Sequence, residues 1–208
     1  MNNKSNYYEN KYSSDDYYWG LNPSSTCLNV LKFKPPEKPY KLLELGCGEG
    51  RNSIFFARNG YQVTTFDLAQ AGVDKTNKLA DRLGLNVNAF KADILDFRLE
   101  DYFDIIFSTG NLHYLPLELR EEVFQNYKTF TNPDGIHMLS VFVKKPFIAP
   151  APEKEINSHK WYSGELFGLY HDWKIEYCTE EIFDCMSSRV PHKHATNRIL
   201  SRKIEVEI

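Results

Sequence analysis

The feature that most constrains this chain of 208 residues is the stretch from Tyr40 to Ala57, YKLLELGCGEGRNSIFFA. An apolar run from Lys41 to Leu45 enters three glycines at alternate positions, Gly46, Gly48 and Gly50, and an apolar-faced helix follows at once. Glycines so spaced let the backbone turn sharply and come close to a ligand. The N–H groups opening the next helix then face an anion. A strand, a glycine loop and a helix in that order begin an α/β fold on a parallel sheet.

The chain keeps that alternation. Asn52 to Arg58 reads as a helix stopped by Asn59-Gly60, YQVTTFD as a strand, and Ala71 to Leu83 as a helix ending at Gly84. VNAFKAD is a third strand, and YFDIIFSTG a fourth, apolar enough to be buried on both faces. Leu117 to Phe130 is an amphipathic helix, and NPDG a turn into the fifth strand, IHMLSVFV. Right-handed crossovers are predicted throughout. Ahead of this core lie a short helix, PSSTCLNVLKF, and the linker KPPEKPYK. After Pro146 come a proline-rich loop, a short helix at SGELFGLY, and two strand-like runs, WKIEYCTEEIFD and HATNRILSRKI. Two strands without a helix between them predict an antiparallel hairpin closing the sheet. One domain over 1–208 is expected: a leading segment and helix to residue 39, a cofactor-binding core over 40–145, and a closing region over 146–208.

Composition excludes several classes. A net charge of −3 provides no basic field for nucleic acid. No apolar run approaches the roughly 20 residues that span a bilayer. The opening MNNKSNYYENKYSSDDYYWG has no apolar core or cleavage pattern, and the four cysteines form no C-x-x-C pair. The expectation is a cytoplasmic protein with reduced thiols and neither nucleic-acid nor membrane partners. No signal bears on oligomeric state.

Ligands of open parallel sheets sit at the carboxyl ends of the strands. The first strand delivers Glu44 and the glycine loop. A dinucleotide loop would place glycine at position 51. Arg51 stands there instead, where a cation opposes the helix dipole unless it meets an anion such as a carboxylate. The alternative is that it points into solvent. The second strand ends at Asp67, whose carboxylate suits two ribose hydroxyls; a helix cap is the alternative. The third strand delivers Asp93, able to accept from an adenine amine, and Ile94, able to pack on the ring.

In order and spacing, LLELGCGEG, VTTFD, KADILDF, FDIIFSTGNLHYL and NPDG resemble the motif series of the class I S-adenosylmethionine-dependent methyltransferases, over Lys41 to Val143. GCGEGRNSIFFARNGYQVTTFD, with the later SGELFGLYHDWKI, is similar more narrowly to the tellurite-resistance (TehB-type) and related small-molecule methyltransferases. The resemblance implies a Rossmann-like three-layer sandwich, α/β, on a mostly parallel seven-stranded sheet with one antiparallel strand. It implies S-adenosyl-L-methionine as cofactor and S-adenosyl-L-homocysteine as product. Gly46, Gly48 and Gly50 would line the methionine part, with Glu44, Cys47, Arg51 and Asn52 of the same motif. Asp67 with Leu68 would hold the ribose, Asp93 and Ile94 the adenine, and Ser108 or Thr109 would lie beside the cofactor.

STGNLHYLP contains neither an Asn/Asp-Pro-Pro-aromatic clamp nor a Pro-Cys nucleophile, which points to a small-molecule acceptor, an oxyanion of the tellurite or selenite kind or a thiol. His113 is the candidate general base; alternatively it and Tyr114 cap the strand and pack on the cofactor. Tyr17 and Trp19, with Tyr18, are candidates for a lid, while residues before Asp15 carry no ordering signal. Arg189, His192, Lys193, His194 and Arg198 form a local cationic cluster, either an electropositive lip binding substrate with Tyr114 or a solvated hairpin. His192 and His194 share a strand face, but no Cys, Asp or Glu pattern stands beside them, so no metal is expected. His137, His159 and His171 are expected to be structural. The competing function is a Rossmann-type binding protein for another adenosine ligand, including an NAD-dependent oxidoreductase, against which Arg51 speaks.

Overall fold

In a computed structural model, which describes residues 3–152, 158–186 and 190–205, the glycine loop joins β1 (Lys41–Leu45) to α3 (Arg51–Arg58). Ahead of β1 lie α1 (Asn3–Tyr12) and α2 (Thr26–Phe33). Beyond α3 come β2 (Gln62–Asp67), α4 (Gln70–Leu83), β3 (Val87–Lys91) and β4 (Phe103–Ser108). A 3-10 turn at Leu112–Tyr114 leads to α5 (Leu117–Thr129) and β5 (Thr131–Val143). Last come α6 (Glu165–Gly168), β6 (Lys174–Cys185) and β7 (His192–Arg202).

The seven strands form one sheet in the order β3-β2-β1-β4-β5-β7-β6. Only β7 runs antiparallel, pairing with β5 on one side and β6 on the other. Strand order reverses between β1 and β4, where a ligand crevice is expected. Adjacent residues of β1 and β4 serve opposite faces. Leu43 and Ile106 pack under α5 with Phe124, Tyr127 and Trp161, whereas Leu42 and Ile105 pack with Cys27 and Val30 of α2 and Phe56 of α3. Each such side chain contributes about 1.5–3 kcal/mol on burial. Burial on both sides makes the three layers.

Two expectations are corrected. NPDG is not a free turn but lies inside β5, where the pairing with β4 shifts register. Asp134 there takes a left-handed φ of 58°, and its carboxylate is held by Lys34 Nζ at 2.5 Å and Arg202 Nη1 at 2.9 Å. The residues before Asp15, which carry no ordering signal in the sequence, contain α1. Its Tyr12 packs over Gly48, and its Glu9 Oε1 accepts the N–H of Ala71 at 3.1 Å. Among the described residues no helix is long and apolar enough to cross a membrane.

Candidate active site

The loop between β1 and α3 is shaped by its glycines. Gly46, Gly48 and Gly50 adopt φ of 77°, 56° and 86°, a region that side chains disfavour. A Cβ on Gly50 would stand 2.7 Å from Thr76 Oγ1, so that glycine serves the packing of α4. Asp67 then ties the loop to β2. Its Oδ2 accepts the N–H of Gly48 at 2.8 Å, and its Oδ1 that of Ala69 at 2.9 Å.

Beneath the loop Glu44 is 1% exposed. Asn52 Nδ2 donates to it at 2.9 Å and Ser53 Oγ at 2.5 Å, anchoring the first turn of α3. Burial raises the Glu44 carboxyl to about 7, against those two hydrogen bonds, which favour its charged form.

A cavity of about 400 Å³ opens above this loop, within the ~300–1,000 Å³ range of small-molecule sites. Gly46, Cys47, Gly48, Arg51, Asn52, Asp67, Leu68, Asp93, Ile94 and Thr109 line one end. The Asp93 Oδ1 atom accepts Leu95 N–H at 3.1 Å, so this carboxylate also caps its own turn. Arg51 lies at the mouth, its Nη1 3.4 Å from the carbonyl of Trp19. Tyr8, Tyr12, Tyr18 and Trp19 contribute to the walls, and Phe142, Phe183, Cys185, His192, His194 and Arg198 make the far end. His113 and Tyr114 join the two: the His113 ring lies 5.1 Å from that of Phe142, which stacks on His194, and Tyr114 bonds to Tyr8.

His113 is 3% exposed and is positioned from below. Its carbonyl accepts His159 N–H at 2.6 Å, and the carbonyl of Leu112 accepts Trp161 Nε1–H at 3.2 Å. Tyr114 and Tyr8 share a hydrogen bond of 2.8 Å between hydroxyls, joining this turn to α1.

Four expected cofactor residues are not in the cavity wall. Glu44 and Ser108 are buried beneath it, Ser108 Oγ reaching the Leu45 carbonyl at 3.4 Å. Gly50 faces α4, and Tyr17 packs beside Ile54 and Leu79 while its neighbour Tyr18 takes the wall position. Arg189 lies outside the described residues. The cationic cluster is also less positive than its sequence suggests. Asp184 of β6 is the register partner of Lys193 and meets its Nζ at 2.7 Å, and Glu181, opposite Thr196, reaches diagonally to accept Arg198 Nη1 at 2.6 Å. His137 is buried and structural, between Thr131 Oγ1 at 2.7 Å and the Tyr170 hydroxyl at 2.5 Å. The missing neighbour of His192 and His194 is present after all: the hairpin pairs Cys185 with His192.

Several wall and support residues were missed. Tyr8 and Tyr12 are four apart, one face of a helix, which was the available signal. Burial, then the nearby Asp67 carboxylate, push the Tyr12 phenol well above its usual range and keep it neutral. Glu49 gives no sequence signal. It is buried, paired with Lys75 at 2.7 Å, and accepts the Trp19 N–H at 3.3 Å, fixing the segment that carries the indole.

A seven-stranded sheet with one reversed strand, a glycine loop at its switch point and acids at the next two strand ends define a class I methyltransferase architecture. The profile of the family described as tellurite resistance protein TehB matches residues 1–199, and the chain belongs to that family. It is 29% identical over 171 residues to the probable S-adenosyl-L-methionine-dependent methyltransferase TehB of Haemophilus influenzae, covering 79% of this chain and 58% of that protein. The chain thus spans under two thirds of the length of that curated relative. The crystal structure of TehB from Haemophilus influenzae superposes with a TM-score of 0.77 at 24% identity, over 96% of this chain and 67% of that one. The N-methyltransferase NodS from Bradyrhizobium japonicum, in complex with S-adenosyl-l-homocysteine, has the same fold, with a TM-score of 0.73 at 15% identity over 98% and 100%. The cofactor of the family is S-adenosylmethionine. The residues present suit it: two strand-end carboxylates, an arginine at the mouth and an aromatic cover.

Proposed function

We propose that the chain transfers a methyl group from S-adenosylmethionine to a small, soft nucleophile, of which a thiol is the simplest member. One observation carries the reading. The lobe around Asp67 and Asp93 and the lobe around Phe183 and His194 are two ends of a single cavity, with His113 and Tyr114 joining them. A donor and an acceptor seated there meet without crossing solvent.

Bound S-adenosylmethionine supplies an electrophilic methyl on a sulfonium. In this reading Gly46 to Gly48 receive the methionine portion and Arg51 its carboxylate. Asp67 accepts from the ribose hydroxyls and Asp93 from the adenine amine, over Ile94. Tyr8, Tyr12 and Trp19 exclude water, which keeps donor and acceptor aligned. His113 takes a proton from the acceptor where one must be lost. The ion pair of Arg198 with Glu181 offsets the charge that an oxyanion would seek, and the aromatic wall of Phe142 and Phe183 favours a polarizable acceptor over a strongly hydrated one.

Calorimetric titration with S-adenosylmethionine, S-adenosylhomocysteine and NAD tests the donor. Micromolar binding of the first two without NAD is expected, and binding of NAD alone overturns the reading. Formation of S-adenosylhomocysteine is then followed with small thiols, selenite and tellurite. Turnover is expected with thiols, and turnover with an oxyanion alone refutes the soft-thiol assignment.

A further inference from the structure

We propose that Cys185, His192 and His194 bind a thiophilic divalent cation of the zinc type, whose open coordination position faces the acceptor end of the cavity. The three residues come from facing rungs of one hairpin. Cys185 of β6 is the register partner of His192, and His194 lies two residues further on the same face of β7, opposite Phe183. Their ligand atoms all lie within 4.8 Å of one another. This is a soft and borderline donor set, suited to zinc rather than to magnesium or calcium.

The two imidazoles are nearly in position. His192 Nε2 and His194 Nε2 are 3.0 Å apart. Two zinc–nitrogen bonds of about 2.0–2.1 Å at a tetrahedral angle separate their nitrogens by roughly 3.3 Å. Only one proton fits between nitrogens that face each other so closely, and a cation takes the place of that proton. His192 is oriented for it: Nδ1 donates to the carbonyl of Val190 at 2.8 Å, which leaves Nε2 as the lone-pair nitrogen. Metal-bound histidines donate the same orienting hydrogen bond through their other nitrogen. The His194 ring is held by Phe142 and Phe183, with centroids at 4.7 Å and 5.8 Å.

Three protein ligands leave a fourth, exchangeable position, and all three residues border the cavity. Resting on the methyltransferase reading, the exchangeable ligand is the acceptor thiol. On binding it gives its proton to His113, the base of that reading, and is held as a thiolate. A sulfur lone pair forms the new S–CH3 bond as the sulfonium C–S bond breaks, and that electron pair stays on the departing thioether. One methyl moves and one proton is released.

Zinc(II) is titrated calorimetrically into the full chain, with cobalt(II) as a spectroscopic probe of thiolate ligation and S-adenosylhomocysteine titrated in parallel. One equivalent of zinc is expected, with a thiolate-to-cobalt absorption band. Cys185→Ser abolishes that band, and His192→Ala or His194→Ala weakens zinc by at least about tenfold. S-adenosylhomocysteine binding persists in every variant, which shows that each is folded. Retained S-adenosylhomocysteine binding without stoichiometric zinc overturns the cation site alone. Zinc binding that is equal in wild type and all three variants overturns it as well. Site-specific zinc binding in a chain that ignores S-adenosylhomocysteine supports the site and refutes the transferase reading.

Discussion

In the proposed donor lobe Asp67 already serves two backbone N–H groups. Its Oδ2 closes the glycine loop through Gly48 and its Oδ1 caps the next turn through Ala69, so under the proposed function ligand and loop share one carboxylate. Hydrogen bonds to a charged group are worth about 1.5–3 kcal/mol each. Losing two predicts that Asp67→Ala weakens S-adenosylhomocysteine by at least about 100-fold in calorimetry. Asp67→Asn, which keeps an acceptor for the loop, should fall between. Wild-type affinity in Asp67→Ala would remove the ribose from this position. The place of Asp67 at the end of β2 was legible because strand-end acids recur at fixed offsets from a glycine loop. Glu44 was expected beside the cofactor for the same reason: it stands two residues before Gly46, yet its side chain turns down to Asn52 and Ser53. Sequence spacing places a residue at a strand end but does not say which side of the sheet it serves.

At the scale of elements, β1 through β5 could be read because apolar runs and glycine stops are local signals. Helix α1 could not. Its sequence, NKSNYYENKY, is polar, and what it covers is the backbone of a loop some 35 residues away by sequence count, near Gly48. Tertiary contact makes this helix worthwhile, since so polar a segment has little propensity to stand alone. The hairpin was legible as a pair of strands, but its register was not, and register is what sets Asp184 against Lys193 and Cys185 against His192. The role of α1 gives a clean expectation. Removing residues 1–14 should leave the sheet folded by circular dichroism and lower affinity for S-adenosylhomocysteine by about tenfold or more, mainly through faster release. Stopped-flow fluorescence reads this through Trp19, which is 39% exposed beside the cavity while Trp161 is fully buried. Unchanged release would mean that α1 covers nothing of consequence.

For the molecule as a whole, two buried groups give stability opposite slopes with pH. The Glu44 carboxyl titrates near 7 when folded, against an ordinary value of 4.5. Between those values the native state keeps a proton that the unfolded chain releases, so this group lowers stability as pH rises, on the order of 3 kcal/mol by pH 7. Burial, then Lys128 and Lys203, hold His137 well below its usual 6.5, so the unfolded chain takes up a proton that the native state refuses. Its contribution is present above about 6.5 and is lost as pH falls. From pH 5 to 6.5 the two oppose each other. Glu44→Gln should therefore steepen the loss of stability on acidification from pH 7 to 5, seen as a larger drop in urea midpoint than in wild type. An identical pH profile would place Glu44 in its charged form in the folded state.

The threading of β7 between β5 and β6 has a consequence for synthesis. Every strand that builds the donor lobe leaves the ribosome before β7 does, yet β6, though made earlier than β7, has no place on the sheet until β7 arrives. Under the proposed function, the strands of the donor lobe are all made while β5 is still an open edge and before the proposed acceptor wall of His192, His194 and Arg198 exists. In that reading the strand that supplies the acceptor wall is also the one that covers the edge of β5, so completing the sheet and completing the acceptor end are a single event.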